Sequence, residues 1–175
     1  MARRTLIAKN ALLEKEANDL YAQIVDLPWK EGIRSRLGFT RLAHQLDMES
    51  KQGEMILNIV RDVLLQMKTQ DTKLPNYAVY GVYINFYRDG NMYTPSHTHK
   101  GTHQLIISLG ATRTLNIAKK AISMETGDAV LFGSSLHGVP KEQCNGGRIS
   151  IATFMVPSTE YRASTMPIRD KHHTL

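Results

Sequence analysis

The hydrophobic period of this chain changes once, near Tyr77, and that change constrains its fold more than any other feature. Before it, apolar residues recur at helical spacing. Residues 10–25 (NALLEKEANDLYAQIV) place Leu13, Ala17, Leu20, Tyr21 and Ile24 on one face, with Asn10 as a candidate cap and Pro28 as a stop. Residues 50–69 (SKQGEMILNIVRDVLLQMKT) place Met55, Ile56, Val60, Val63, Leu64 and Met67 on another face, with Ser50 at the cap position. Residues 33–46 have no clear period and read as short strands or loop. From Tyr77 the period is two. The run YAVYGVYINFY is dense in aromatic and β-branched residues and reads as a strand ended by the turn Arg88-Asp89-Gly90-Asn91. Further strands are expected at 104–109, 112–117, 129–132 and 148–154, punctuated by Gly110, Gly127, Gly133 and Gly146-Gly147. Two helices followed by a run of short strands predict an α+β, mainly β chain, with the helices packed on a β-sandwich or jelly roll.

The 175 residues fit one domain, with a core over about 77–156 and a helical part over 1–76. Hydrophobic residues make up 42% and charged residues 22%, which excludes a disordered chain. Cys144 is the only cysteine, so no intrachain disulfide can form, which is compatible with a reducing, cytoplasmic location. No apolar run approaches the ~20 residues that span a bilayer, so no membrane partner is expected. The basic start MARR is followed by Lys9, Glu14 and Glu16 before any long apolar stretch, which speaks against a secretory signal. The net charge is +6, and it is uneven: residues 77–175 carry 10 basic and 6 acidic side chains, against 12 and 10 in residues 1–76. Such a surface suits a polyanionic partner, nucleic acid first, or serves solubility alone; both readings stay open.

Three of the seven histidines cluster at His97, His99 and His103. In extended backbone, residues two apart share a face, so His97 and His99 can offer two imidazoles to one ion. A third ligand must come from a distant strand, and His137 is the candidate. Neutral imidazole suits iron, zinc, copper and nickel. Arg148 follows Gly146-Gly147 and offers a planar fork for an anion. Tyr77, Tyr80, Tyr83 and Tyr93 serve either base stacking or strand packing. His172 and His173 are read as an unstructured tail without a role.

These residues also fall into motifs. Asn85-Phe86-Tyr87-Arg88-Asp89-Gly90, His97-Thr98-His99, Ser108-Leu109-Gly110-Ala111-Thr112-Arg113-Thr114, Gly127-Asp128, His137-Gly138-Val139-Pro140-Lys141 and Arg148-Ile149-Ser150 follow one another in the order seen in the AlkB-like Fe(II)/2-oxoglutarate-dependent dioxygenases, which this chain resembles. Leu27-Pro28-Trp29 and Thr40-Arg41-Leu42 resemble weaker N-terminal landmarks of that family, so the resemblance spans residues 10–156. It implies a double-stranded β-helix (jelly roll) with two N-terminal buttressing helices. It implies Fe(II) on His97, His99 and His137, and 2-oxoglutarate held by Asn85, Tyr87 and Arg148, with O2 as the second co-substrate. Ser150, at the position of the closing motif's Asn, joins the cofactor-binding set. The implied activity is oxidation of an alkyl or methyl group, as in repair or modification of alkylated DNA or RNA. The implied partner of a monomeric enzyme is then a single strand or a flipped base.

Three positions depart from the family pattern. His99 stands where the family has Asp, Phe154 where it has a second closing Arg, and Gly101 where some relatives carry an acidic residue. Arg113 is the nearest other cation, but its strand position gives no reason for it to point inward. Two alternatives therefore remain: a cupin-like three-histidine metalloenzyme that does not use 2-oxoglutarate, with His103 in the place of the cupin Glu, and a degenerate, non-catalytic nucleic-acid-binding module.

Overall fold

The structure is a computed structural model that describes residues 5–31, 41–161 and 173–174. The stretch with no clear period lies mostly at 32–40, outside the described residues, as does Thr40. Its last part forms a strand.

Both helices form where the apolar spacing places them. Helix α2 (Lys51–Gln70) starts at Ser50, whose hydroxyl accepts the Gly53 N–H at 3.0 Å, and it buries Ile56, Leu57, Val60, Val63, Leu64 and Met67. Helix α1 (Glu14–Ile24) buries Ala17, Leu20 and Ile24 but begins later than expected. Asn10 does not cap it. Its φ of 52° lies in the left-handed region and its N–H goes to Asp128 Oδ1 at 3.0 Å. The cap is Leu13, with its N–H on the Glu16 carboxylate at 3.0 Å. As a cap Leu13 leaves the helix stripe, and it is 67% exposed.

The strands build two antiparallel sheets. The larger, eight-stranded sheet contains β1 (Leu6–Ala8), β2 (Lys30–Glu31), β3 (Leu42–Gln45), β4 (Tyr77–Tyr87), β6 (His103–Gly110), β9 (Ala129–Phe132) and β11 (Arg148–Pro157). Its order is β1-β9-β6-β11-β4-β3-β2. A short β12 (His173–Thr174) pairs with Val79 and Ala78 of β4, so this end of the tail is paired rather than unstructured. The smaller sheet runs β5-β10-β7-β8, from β5 (Thr94–His97), β10 (His137–Val139), β7 (Arg113–Ile117) and β8 (Lys120–Met124).

Strand alternation then sorts side chains into two cores. Ile84 of β4, Leu105, Ile107 and Leu109 of β6, and Ile149 and Ile151 of β11 face α1 and α2 in one apolar cluster. The alternate residues Tyr87, Ile106, Val130, Phe132 and Ala152 face the smaller sheet and meet its Leu115, Ile117, Met124 and Val139. The result is a double-stranded β-helix with two helices buttressing the outer face of the larger sheet, as expected. Tyr77 is 2% exposed within the helix-side core, so of the four tyrosines it serves packing.

The Gly127-Asp128 turn ties the N-terminal segment to this frame. Asp128 is fully buried and accepts the Lys9 ammonium and the N–H groups of Asn10 and Glu125. Gly127 sits at φ +85°, and a Cβ there would stand 2.4 Å from the Leu12 carbonyl oxygen.

Candidate metal centre

The two short strands β5 and β10 carry the histidines. They pair antiparallel with His97 directly opposite His137. They approach closely because Gly138 has no side chain; a Cβ there would meet the Thr94 carbonyl oxygen at 2.8 Å. β5 stops at His97, so His99 lies in the loop beyond it rather than on a continuous strand face. The loop still turns it inward. Ring centroids are 4.8 Å apart for His97–His99, 4.4 Å for His97–His137 and 5.6 Å for His99–His137.

The donor atoms of the three rings lie within 4.8 Å of one another, a group that could hold one metal ion. Among the described residues no carboxylate joins it. His97 Nδ1 lies 2.9 Å from the Pro95 carbonyl and His137 Nδ1 lies 2.9 Å from the Ser135 carbonyl. With Nδ1–H donating to these carbonyls, each Nε2 keeps its lone pair for a metal. Burial pushes the His137 pKa down to about 4, helped by His97, His99 and Arg41 and opposed by the Ser135 carbonyl. Burial first, then His97 and Arg41, also lowers His99. Both rings are therefore neutral near pH 7, the form that binds metal. His103 is turned away from this group, with Nδ1 3.1 Å from the Tyr77 hydroxyl.

The facing wall belongs to the larger sheet, and its register aligns the remaining expected residues. Ser150 of β11 lies between Asn85 of β4 and Ser108 of β6; Arg148 lies between Tyr87 and Gly110. Arg148 is 1% exposed. Its Nε donates to Ser108 Oγ at 2.8 Å, while Nη1 and Nη2 have no partner. Burial lowers its pKa to about 10, which leaves it cationic at neutral pH. Tyr87 donates to or accepts from Thr94 Oγ1 at 2.7 Å, and its ring lies under the Arg148 guanidinium at 5.5 Å. Asn85 Oδ1 accepts from Arg41 Nε at 2.7 Å, which fixes the amide so that its NH2 is the end left for a ligand.

Arg113 does point inward, contrary to expectation: it is 1% exposed and lies 5.4 Å from the Tyr87 ring. It is fully engaged, donating to Glu142 and to the carbonyls of Asp89, Met92 and Pro140. A guanidinium with every nitrogen occupied clamps loops and has nothing to give a ligand; Arg148 is the opposite case.

Phe154 closes the metal end, edge-on to His99 with centroids 5.0 Å apart. Sequence reasoning passed over Ser108 and Arg41 as site residues, although the first lies in the Ser108-Leu109-Gly110 motif and the second in an N-terminal landmark. Thr94 had no signal in the chain.

No protein-family model matches the sequence. No curated protein matches it either. Many solved structures do. The epimerase SnoN of nogalamycin biosynthesis, described as non-haem and α-ketoglutarate-dependent, aligns with a TM-score of 0.72 at 8% identity, covering 93% of this chain and 82% of that one. HygX from Streptomyces hygroscopicus, solved with nickel and 2-oxoglutarate, aligns at 0.67 with 11% identity over 97% and 92%. A collagen prolyl hydroxylase of Paramecium bursaria Chlorella virus-1 aligns at 0.65 with 12% identity over 88% and 97%. At these identities the similarity establishes the shared double-stranded β-helix.

Proposed function

We propose that this chain is an Fe(II)- and 2-oxoglutarate-dependent dioxygenase, an oxidoreductase of AlkB-like type that oxidises an alkyl or methyl group on a nucleic-acid base. The observation that carries this reading is Arg148, a buried cation with two unpartnered nitrogens in the wall that faces three clustered histidines. A buried charge without a counter-ion is costly, so the site is built for an anion. The far carboxylate of a 2-oxo diacid matches the planar fork. The solved structures described with 2-oxoglutarate share this fold, which supports the same co-substrate here.

When bound, iron with 2-oxoglutarate and O2 supplies hydroxylation of a C–H bond, with succinate and CO2 as by-products. The protein's own share is positioning. His97, His99 and His137 would hold the ion, and Arg148 the distal carboxylate. Asn85, Tyr87 and Ser150 line the space between. Phe132 packs against His137 and Phe154 against His99, with ring centroids 4.9 and 5.0 Å apart, and these rings would shield the metal end from water. Three neutral imidazoles leave the full charge of a divalent ion uncompensated, where a carboxylate ligand would cancel part of it. That difference strengthens attraction for an anionic co-substrate. The same all-histidine set also favours a second reading, a cupin-like metalloenzyme without 2-oxoglutarate.

The fold does not select the substrate, since the solved structures that share it include a collagen prolyl hydroxylase and an epimerase of nogalamycin biosynthesis. The nucleic-acid assignment rests on the resemblance and on the excess of basic residues in 77–175. One assay tests both levels. Fe(II)-loaded protein under air should release succinate from 2-oxoglutarate, and an N-methylated single strand should stimulate release and yield formaldehyde. Succinate without stimulation would move the substrate elsewhere; no succinate in any condition would refute the oxygenase itself.

A further inference from the structure

One polar side chain of the inter-sheet core has neither a partner nor a role so far. Gln104 is 1% exposed, and its Nε2 makes no hydrogen bond. Alternation along β6 puts it on the face of Ile106 and Ser108, toward the smaller sheet. Across the ladders it pairs with Phe154 of β11 on one side and Phe132 of β9 on the other. Phe154 contacts His99 at 5.0 Å between centroids, and Phe132 contacts His137 at 4.9 Å. Side chains opposite one another in a ladder stand about 4.5–5.5 Å apart. Gln104 therefore projects from between the two phenylalanines whose rings border two of the three imidazoles.

A buried donor left unmade is destabilising, and leucine or methionine would fill the same space without that cost. The donor is explained if a ligand completes it. We propose that Gln104 is a co-substrate-binding residue whose Nε2 donates a hydrogen bond to the 2-oxo acid end of the co-substrate, at the metal, where the closing strand presents Phe154 instead of a cation. The assignment rests on the 2-oxoglutarate reading given above. A neutral amide suits this place: it holds a carboxylate oxygen without adding positive charge beside an ion already bound by neutral ligands.

The test is calorimetric titration of the Mn(II)-loaded protein with 2-oxoglutarate in the absence of oxygen, together with thermal melting of the metal-free protein. Gln104→Leu should bind Mn(II) at wild-type stoichiometry, melt at or above the wild-type temperature, and bind 2-oxoglutarate about tenfold or more weakly. Gln104→Glu, which sets carboxylate against carboxylate, should keep Mn(II) and lose 2-oxoglutarate. A purely structural glutamine gives the reverse pattern, a lower melting temperature with unchanged affinity, and that result would overturn the proposal. If the wild type binds and both variants bind equally well, only the role of Gln104 falls. If the wild type itself binds no 2-oxoglutarate, the functional reading falls with it.

Discussion

His137 shows how far one residue can couple folding to metal chemistry. It is 5% exposed, and burial holds its folded-state pKa near 4, below the ~6.5 of an unfolded histidine. The unfolded chain therefore takes up a proton more readily than the folded one. Stability conferred by the neutral ring is complete above pH 6.5 and is lost as the pH falls toward 4, by about 3 kcal/mol for this group. Urea unfolding of the metal-free protein at pH 7.5 and pH 4.5 measures the loss. His137→Gln, which does not titrate, should lose about that much less than wild type over the same interval. An identical loss in both proteins would show that the ring is not buried as described. The same substitution should abolish stoichiometric metal binding. Arg148 and Arg113 make a second contrast at this scale. Two buried guanidinium groups flank one tyrosine ring, and only the one with unfilled nitrogens is available to a ligand.

At the scale of elements, the turn between β8 and β9 holds the N-terminal segment. The fully buried Asp128 carboxylate satisfies two backbone N–H groups and the Lys9 ammonium. Asp128→Ala strands those donors and should destabilise the fold by on the order of 2–4 kcal/mol. Metal stoichiometry should be unchanged, because no ligand touches that turn; a loss of metal without a fall in melting temperature would contradict this division. Some elements were plain in the chain and others were not. α2 is long and capped by Ser50, and β6, β9 and β11 carry apolar runs, so local pattern and tertiary packing agree. β5 and β10, which carry His97 and His137, are short, and proline, glycine and histidine stand where β-branched residues would signal a strand. β8 is mostly exposed, and only Ile122 and Met124 turn toward the core. The histidine cluster was nonetheless visible from motif order, although the shared strand face expected of His97 and His99 does not form, because β5 ends at His97. The pairing of Gln104 with Phe154 and Phe132 was not, because register across three strands is a tertiary property that no single segment encodes.

At the scale of the whole molecule, the two sheets divide the work. The larger sheet is stabilised on one face by the helices and presents Asn85, Tyr87, Arg148 and Ser150 on the other. The smaller sheet and the loop after β5 bring the histidines to meet them. Among the described residues no helix is long and apolar enough to cross a membrane. We propose that this opposed pair of walls binds 2-oxoglutarate between a metal and Arg148. Calorimetric titration of the metal-loaded protein with 2-oxoglutarate, repeated with Arg148→Ala, measures it directly. A hydrogen-bonded charge contributes about 1.5–3 kcal/mol, so affinity should fall by roughly one to two orders of magnitude in the variant, with metal stoichiometry retained. Tight binding that is indifferent to Arg148, or no binding to the wild type with metal present, would contradict this role of the two walls.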